Sequence, residues 1–322
     1  AHAAPTALGW TRRVARTRGM ASFVELGVPP HLISRMARNM QIHEPTPVQE
    51  AALQLLMPAR GGAQRTPPRS VVVRWPTGSG KTLSYMLPMM ARIDPSAFGV
   101  QAVIVAPTRE LCLQTLRVLK VLSDHGRANR KGHSVTVMSV MGRVNTKMES
   151  ELQHHPPHIL VGTPQPLGAL LFSGVVPLTK NVAGRTLILD EVDALAQRFR
   201  WPHLLRVLAA PPPLQVEPPT RRKGGKGSAA ARRPSLAPQH VVSGAGTLPL
   251  APPPPTAGRG AWCHGAVWLV SANAQRDGCA RALEQAGHAP KAPLVACAAR
   301  LPDTLRHVLL PPSGVGLADV AR

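Results

Sequence analysis

The sequence predicts an α/β fold in which a parallel β-sheet is covered by helices on both faces. Apolar, strand-like runs alternate with helical patterns over residues 71–190, the order that a parallel sheet with crossover helices requires. A glycine-containing loop joins the first strand to the first of these helices. In addition, 44% of the 322 residues are hydrophobic, which is enough for a sizeable core. Ligands of such sheets bind beyond the carboxyl ends of the strands, so we expect the functional site there.

Two helices are expected before the first strand. Residues 1–21 are rich in Arg and Ala and show no apolar period, so we expect them to be loose. Apolar residues at helical spacing predict a helix over 29–40, which begins at two prolines. A proline-punctuated turn leads to a second helix over 48–57, which Pro58 ends.

From residue 71 onward, strands and helices are assigned in order. The predicted strands are 71–74, 101–106, 134–140, 158–162, 185–190, 266–270, 293–297 and 304–309. The predicted helices are 80–92, 109–124, 145–153, 165–172 and 274–287. Residues 211–260 interrupt this order with proline runs and a cluster of Arg and Lys. We expect a disordered insertion there, whose ends leave and re-enter the domain close together.

The charge of the chain indicates a polyanionic partner. The formal net charge is +22 and the isoelectric point is about 11.6, which favours nucleic acid, because basic side chains displace the counterions of phosphates. Compositional bias of the source is the other explanation, since Arg, Ala and Pro are all abundant. Only 3% of the residues are aromatic, so we expect a grip on the phosphate backbone rather than base stacking.

Zinc sites and membrane spans are not expected. The cysteines lack metal-ligand spacing, which favours a reduced compartment without structural zinc. Three histidines fall in a proline-broken segment and are interpreted as solvated loop residues. No apolar run is long enough to cross a bilayer, so no membrane partner is expected. The cysteines are Cys112, Cys263, Cys279 and Cys297, and the histidines are His154, His155 and His158.

A phosphate-binding loop is predicted directly after the first strand. Backbone N–H groups of such a loop, together with the N-terminus of the following helix, surround polyphosphate oxygens. Lys81 adds a positive charge, and the Thr82 hydroxyl is suited to ligate Mg²⁺. Trp75 departs from the pattern, which has a small residue at this position. The residues assigned to the loop are Thr77, Gly78, Ser79, Gly80, Lys81 and Thr82.

Two adjacent carboxylates follow the strand at 185–190. Asp190 is suited to hold Mg²⁺ against the phosphates, and Glu191 is suited to orient and deprotonate an attacking water. Acidic residues at strand ends also commonly cap helices, so this pair alone is weak. Together with Lys81 and Thr82 in an α/β chain, it predicts hydrolysis of a nucleoside triphosphate.

With a phosphate-binding loop followed later in the chain by an acidic pair at a strand end, the sequence resembles the DEAD-box ATP-dependent RNA helicases, specifically their first RecA-like domain. The resemblance implies ATP and Mg²⁺ as cofactors, RNA as partner, and Lys81, Asp190 and Glu191 as catalytic residues. It assigns Phe23 and Gln49 to adenine. The residues that it assigns to the RNA backbone are Pro107, Thr108, Arg109, Gly142 and Thr163, and those that it assigns to coupling between nucleotide and RNA are Asp193, Ser271 and Asn273.

The sequence also departs from the family pattern. Gln165 and Pro166 replace a Gly-Arg pair, which removes an expected phosphate contact. The other departures are Trp75, Met141, Val192 and Asn273. Two functions therefore remain open: an RNA-stimulated ATPase and helicase, or a catalytically weak relative that serves as a scaffold for RNA or a ribonucleoprotein.

The resemblance also gives expectations for domains and location. Residues 22–310 form one ATP-binding domain, and 311–322 begin a linker toward a second domain that this chain lacks. The acid-poor, Arg-rich start is compatible with a cleaved organelle signal. We therefore expect a mitochondrial protein that acts in ribosome assembly on structured or ribosomal RNA, with nucleolus and cytoplasm as the other locations.

Overall fold

The strands that the structure describes belong to one parallel sheet. The structure is a computed structural model, and it describes residues 21–57, 70–123, 134–197, 200–208, 210, 261–262, 265–272, 282, 286 and 294–296. Within this part of the chain, seven strands form a sheet in the order β3-β4-β2-β5-β6-β1-β7, and every neighbouring pair is parallel. The predicted fold class is thereby confirmed.

The observed elements follow the predicted order. The strands are β1 Ser70–Arg74, β2 Ala102–Val105, β3 Val137–Val140, β4 Ile159–Gly162, β5 Thr186–Asp190, β6 Ala266–Ser271 and β7 Leu294–Ala296. The helices are α1 Pro30–Met40, α2 Pro47–Leu56, α3 Lys81–Arg92, α4 Arg109–Ser123, α5 Thr146–His154, α6 Pro164–Phe172, α7 Val192–Leu195 and α8 Trp201–Leu208. Helices α7 and α8 were not among the predicted helices, and the 3-10 turn at Val182–Gly184 before β5 was not predicted either.

The hydrophobic core lies on both faces of the sheet. Successive residues of a strand point to opposite faces. Val71 and Val73 of β1 therefore pack on the face that helices α1 to α4 cover, while Val72 packs on the opposite face, which is covered by α6 and α8. Because both faces are buried, the strands are continuous apolar runs rather than alternating ones, and this is the pattern that the sequence shows.

The expectation for His158 was wrong. His158 is buried, and its Nδ1 accepts a hydrogen bond from the backbone N–H of Thr136 at 3.0 Å. His158 lies directly before β4, and Thr136 lies directly before β3, which pairs with β4 in parallel. The His158 N–H donates to the Thr136 carbonyl at 3.0 Å, so the pairing of the two strands brings these residues together. His154 is the last residue of α5, and both His154 and His155 are exposed.

Several expectations fall on residues outside the described part. They concern the N-terminal segment, the interior of the insertion, most of the helix at 274–287, the last strand and the linker. The two flanks of the insertion are described. The Ala261 N–H donates to the Ala210 carbonyl at 2.8 Å, so the chain leaves and re-enters the domain at one place. Among the described helices, none has the length and apolarity needed to span a membrane.

Candidate functional site

A cavity of about 460 Å³ lies at the carboxyl ends of β1 and β5. The loop after β1 forms one wall through Thr77, Gly78 and Gly80, followed by Lys81 and Thr82. Asp190 and Glu191 form the wall at the carboxyl end of β5. The rest of the lining comes from Met40, Leu83, Leu111, Gln114, Thr115 and Val118. The fold thus brings together two sets of residues that are more than a hundred positions apart in the sequence.

The loop after β1 is held by its own polar groups. Gly78 and Gly80 have positive φ angles of 77° and 90°, which side chains with a Cβ adopt only with strain. The Lys81 ammonium is almost fully buried and donates to the carbonyls of Trp75 at 2.9 Å and Pro76 at 3.0 Å. A phosphate bound in the cavity would therefore compete with two backbone carbonyls for this ammonium group.

Helix α2 supports the loop from behind. The Gln49 Nε2 donates to the Gly80 carbonyl at 3.1 Å, and its Oε1 accepts from the Thr46 N–H at 3.0 Å. The Thr46 hydroxyl donates to the Ser79 carbonyl at 2.9 Å. Neither residue that the resemblance assigned to adenine is among those that line the cavity: Gln49 is 2% exposed and bonded to the loop, and Phe23 is 1% exposed and packs in the hydrophobic core.

Asp190 is the most perturbed carboxyl group of the site. Burial raises its pKa to about 6 from the ordinary 3.8, although a hydrogen bond from Tyr85 acts in the opposite direction. The Tyr85 hydroxyl donates to Oδ2 at 2.9 Å, and the Glu191 N–H donates to Oδ1 at 3.1 Å. Glu191 itself has a left-handed backbone with φ of 51°, which turns the chain directly into α7.

Magnesium fits this site by the chemistry of its donors. A carboxylate on Asp190 and a hydroxyl on Thr82 line the same cavity, and both are hard oxygen ligands. Across the described residues, no cluster of three or more His, Cys, Asp or Glu side chains is suited to hold a metal by itself. Mg²⁺ is commonly bound in this way, by one or two protein oxygens together with substrate phosphates and water.

The residues assigned to coupling meet at the end of β6. The Ser271 hydroxyl donates to the Asp193 carboxylate, and the Ser271 carbonyl accepts from the Trp75 N–H at 3.1 Å. Ser271 thereby contacts both the phosphate loop and the acidic segment. Asn273 lies outside the described residues.

The residues assigned to RNA lie along another part of the same sheet edge. In the register of the sheet, Val105 of β2 and Val140 of β3 both pair with Gly162 of β4. The segments that follow these strands therefore start at one level, and they contain Thr108, Arg109, Gly142 and Thr163. Arg109 and Gly142 are exposed, whereas Pro107 is buried and offers no side-chain surface to a partner.

Two residues of interest were not found by sequence reasoning. Arg143 is exposed directly after Gly142 and adds a positive charge to the RNA-assigned edge. Its position next to Gly142, directly after a predicted strand, could have indicated from the sequence that it belongs to this edge. Tyr85 gave no such signal, because a tyrosine within an amphipathic helix is indistinguishable from a core residue.

Comparison with known proteins agrees with this geometry. The family model described as DEAD/DEAH box helicase matches residues 46–227, which is more than half of the chain. The chain belongs to the DEAD/DEAH box helicase family. The matched range includes Gln49, the phosphate loop and the acidic segment at 190–193.

Curated proteins that are similar to this chain are named ATP-dependent RNA helicases. The chain is 37% identical over 152 residues to a probable ATP-dependent RNA helicase, YfmL, of Bacillus subtilis, which covers 47% of this chain and 35% of the relative. It is 35% identical over 187 residues to DEAD-box ATP-dependent RNA helicase 47A of Oryza sativa subsp. japonica, covering 54% of this chain and 29% of the relative. The chain thus spans about a third of the length of the curated relatives it matches.

Solved structures of DEAD-box proteins share the fold. S. cerevisiae Dbp5 bound to RNA and ADP BeF3 matches with a TM-score of 0.54 at 22% identity, over 83% of this chain and 50% of that one. A DEAD box protein from Methanococcus jannaschii matches with a TM-score of 0.52 at 20% identity, over 80% of this chain and 51% of that one. The sheet and its helices are therefore those of a RecA-like DEAD-box domain.

Proposed function

We propose that this chain supplies the ATP-binding domain of an ATP-dependent RNA helicase and acts as an RNA-stimulated ATPase. One observation carries the proposal: Lys81, Thr82, Asp190 and Glu191 line a single cavity at the carboxyl ends of β1 and β5. A cation, a hydroxyl and two carboxylates at this place are the groups that hydrolysis of a nucleoside triphosphate requires.

Each side chain has a distinct part in the proposed reaction. The backbone N–H groups of the loop and the Lys81 ammonium bind the phosphates of ATP. Thr82 and Asp190 would hold Mg²⁺, which supplies neutralisation of charge on the phosphates. Glu191 orients the attacking water and accepts its proton. The left-handed backbone at Glu191 fixes its direction from β5, so the base is placed by the fold rather than by a mobile loop.

RNA is proposed to bind along the edge formed by the ends of β2, β3 and β4. Exposed Arg109 and Arg143 supply charge, and α4 begins at this edge, where the positive end of a helix favours a phosphate. Such contacts read the backbone and not the sequence of RNA. Two relatives are named ATP-dependent RNA helicases, and this supports the assignment.

The cellular target is a finer proposal. The net charge of +22 supports a highly charged partner such as structured or ribosomal RNA, and hence a part in ribosome assembly or another ribonucleoprotein. The Arg-rich, acid-poor start supports a mitochondrial location. Imaging the tagged natural protein tests the location. A nucleolar or cytosolic signal would contradict it.

A second candidate function is a scaffold that binds RNA without efficient hydrolysis. It is favoured by the Lys81 ammonium, which is engaged by the carbonyls of Trp75 and Pro76. The segment after β4, where Gln165 and Pro166 carry no positive charge, points in the same direction.

RNA-stimulated ATP hydrolysis by the natural protein separates the two functions. For a helicase we expect Glu191→Gln to lower kcat by about 100-fold or more while nucleotide binding persists, because only the base is lost. As a further variant, Arg109→Gln should weaken RNA affinity and reduce its salt slope by about 1. Arg38→Gln is the matched control, since Arg38 is an exposed arginine of α1 and not of the segments that follow β2, β3 and β4. Equal background hydrolysis in the natural protein and Glu191→Gln would favour the scaffold.

A further inference from the structure

We propose that Tyr85 is a positioning residue that fixes the orientation in which Asp190 meets the magnesium–nucleotide complex. The inference rests on the proposed nucleotide site and assigns it a residue that contacts neither the nucleotide nor the metal. Tyr85 is the single tyrosine of the chain, and it lies on α3, one helical turn after Lys81. Its place is therefore set by the helix that the phosphate loop begins.

The contact itself is direct. The Tyr85 hydroxyl donates to Oδ2 of Asp190 at 2.9 Å, across a sequence separation of 105 residues. Tyr85 is 0% exposed, so its hydroxyl is shielded from bulk water, whereas Asp190 is half-buried and lines the cavity. A hydrogen bond from a neutral donor to a carboxylate in such surroundings is stronger than one between two neutral groups.

The carboxylate is held at both of its oxygens. While Tyr85 binds Oδ2, the Glu191 N–H binds Oδ1 at 3.1 Å. The two donors come from different elements, α3 and the turn after β5, so together they define the plane of the carboxylate. Without the Tyr85 hydroxyl, only the backbone donor would remain of these two, and the group could rotate about its Cβ–Cγ bond.

Packing alone does not explain a hydroxyl at this position. The Tyr85 ring belongs to the core on the α1–α4 face, together with Leu87 and Met89 of the same helix. Phenylalanine would fill this core without burying a polar atom, which is costly unless the atom is paired. The hydroxyl is paired with Asp190, and through this pair it joins the phosphate-loop helix to the carboxylate of the opposite wall of the cavity.

The first test is the affinity for a non-hydrolysable ATP analogue, measured for the 322-residue chain in Mg²⁺ and in EDTA. We expect Tyr85→Phe to reduce the Mg²⁺-dependent gain in affinity about tenfold, the effect of one hydrogen bond to a charged group, and to leave affinity in EDTA unchanged. Ser84→Ala is the matched control. Ser84 is also a fully buried hydroxyl of α3, but it donates to the Lys81 carbonyl within the helix, so its loss should leave the Mg²⁺ dependence intact.

The second test uses the fact that the chain contains one tyrosine. Incorporation of 3-fluorotyrosine gives a single ¹⁹F resonance, which reports on Tyr85 alone. We expect this resonance to shift when the analogue binds with Mg²⁺, and the Mg²⁺-dependent part of the shift to disappear in Asp190→Asn. A purely structural tyrosine would not respond to the metal.

The outcomes separate this inference from the proposed function. If the unaltered chain fails to bind the analogue under any condition, the nucleotide site itself is contradicted. If it binds with a clear dependence on Mg²⁺, but Tyr85→Phe shows the same dependence and the ¹⁹F resonance does not move, the role of Tyr85 is overturned while the nucleotide site stands. Thermal unfolding followed by circular dichroism verifies that the three variants are folded before either comparison is made.

Discussion

A charged side chain lies at each end of strand β5, one of them buried and the other half-buried, and the two are used in different ways. Arg185 directly precedes the strand, and Asp190 is its last residue. The guanidinium of Arg185 is 6% exposed, and three of its N–H donors are bonded to backbone carbonyls. Asp190 lines the cavity, and burial holds its pKa at about 6. The charge of Arg185 is satisfied by hydrogen bonds, whereas the surroundings of Asp190 disfavour its charged form.

Arg185 closes the amino end of the sheet. Its Nε and Nη2 donate to the Thr179 carbonyl at 3.0 and 2.8 Å, and Nη1 donates to the Ala261 carbonyl at 3.0 Å. Ala261 is where the described chain resumes after the insertion, and Ala261 also bonds to Ala210. A single side chain thus fastens the segment before β5 to the chain that enters β6. The satisfied donors indicate a structural role.

The end of the strand at which a charged side chain lies, and whether hydrogen bonds satisfy it, distinguish a structural charge from a functional one. A charge at the amino end of parallel strands has no ligand to meet, so it is retained where backbone carbonyls satisfy it. At the carboxyl ends, where ligands bind, a carboxylate that is incompletely compensated remains available for a cation. Opposite effects on stability are therefore expected when the two charges are removed.

The largest effect is expected at Arg185. Arg185→Met keeps the length of the side chain but leaves the carbonyls of Thr179 and Ala261 without these donors, so the free energy of unfolding should fall by about 3 to 5 kcal/mol. Urea denaturation followed by circular dichroism measures it. The matched control is Arg38→Gln on the exposed side of α1, expected to change stability by less than about 0.5 kcal/mol. A loss as small as the control's would remove the structural role of Arg185.

The next effect, of opposite sign, is expected at Asp190. Its pKa is raised from 3.8 to about 6 in the folded chain, so between these pH values the folded state binds more protons than the unfolded state. Stability contributed by this group is therefore present below about pH 4 and is lost as the pH rises through about 6. In the absence of metal and nucleotide, Asp190→Asn should be more stable than the unaltered chain at pH 7 by up to about 3 kcal/mol.

Unfolding measured at a series of pH values checks this prediction. The advantage of Asp190→Asn should shrink toward zero below about pH 4, since the carboxyl of the unaltered chain becomes protonated in the unfolded state as well as in the folded state there. The variant amide faces the Tyr85 hydroxyl, which can rotate to accept a hydrogen bond from it. Glu151→Gln removes an exposed carboxylate of α5 and serves as the control. A destabilised Asp190→Asn at pH 7 would mean that the carboxylate stabilises the fold, and the contrast with Arg185 would fail.

The smallest effect is expected from the insertion, whose ends Arg185 helps to fasten. Because Ala210 and Ala261 are hydrogen-bonded, a short Gly/Ser linker in place of 212–259 can join them without moving either strand. Closing a shorter loop costs less entropy, so stability should rise by about 1 to 2 kcal/mol. Nucleotide affinity should be unchanged, since the cavity lies at the other end of the sheet.

RNA affinity of this linker variant across a salt series distinguishes two interpretations of the insertion, a neutral expansion of the chain and a flexible basic arm that binds RNA. We expect the affinity and the salt slope to match those of the unaltered chain, as for a neutral expansion. A weaker affinity with a smaller slope would instead identify the basic residues of the insertion as an RNA-binding arm. These residues are Arg221, Arg222, Lys223, Lys226, Arg232 and Arg233.

Expectations from the sequence hold where the signal is local. The alternation of strands and helices predicted the sheet, with element ends within about three residues. Thr77, Gly78, Gly80, Lys81 and Thr82 of the predicted loop line one cavity with Asp190 and Glu191, because parallel strands place their carboxyl ends at one edge. Where the sequence signal was a residue type without a period, as for His158, the expectation was wrong.

The fold class and the positions of the glycine-containing loop and of the acidic pair follow from the sequence, since hydrophobic period, glycine content and residue order are properties of short stretches of chain. Tertiary structure alone decided that Tyr85 meets Asp190, that Arg185 fastens Ala261, and that Gln49 holds the Gly80 carbonyl. These pairs are separated by 105, 76 and 31 residues, and a local pattern carries no information about a distant partner. The raised pKa of Asp190 belongs to the same group, because it arises from burial, which exists only once the two walls of the cavity have packed around the carboxylate.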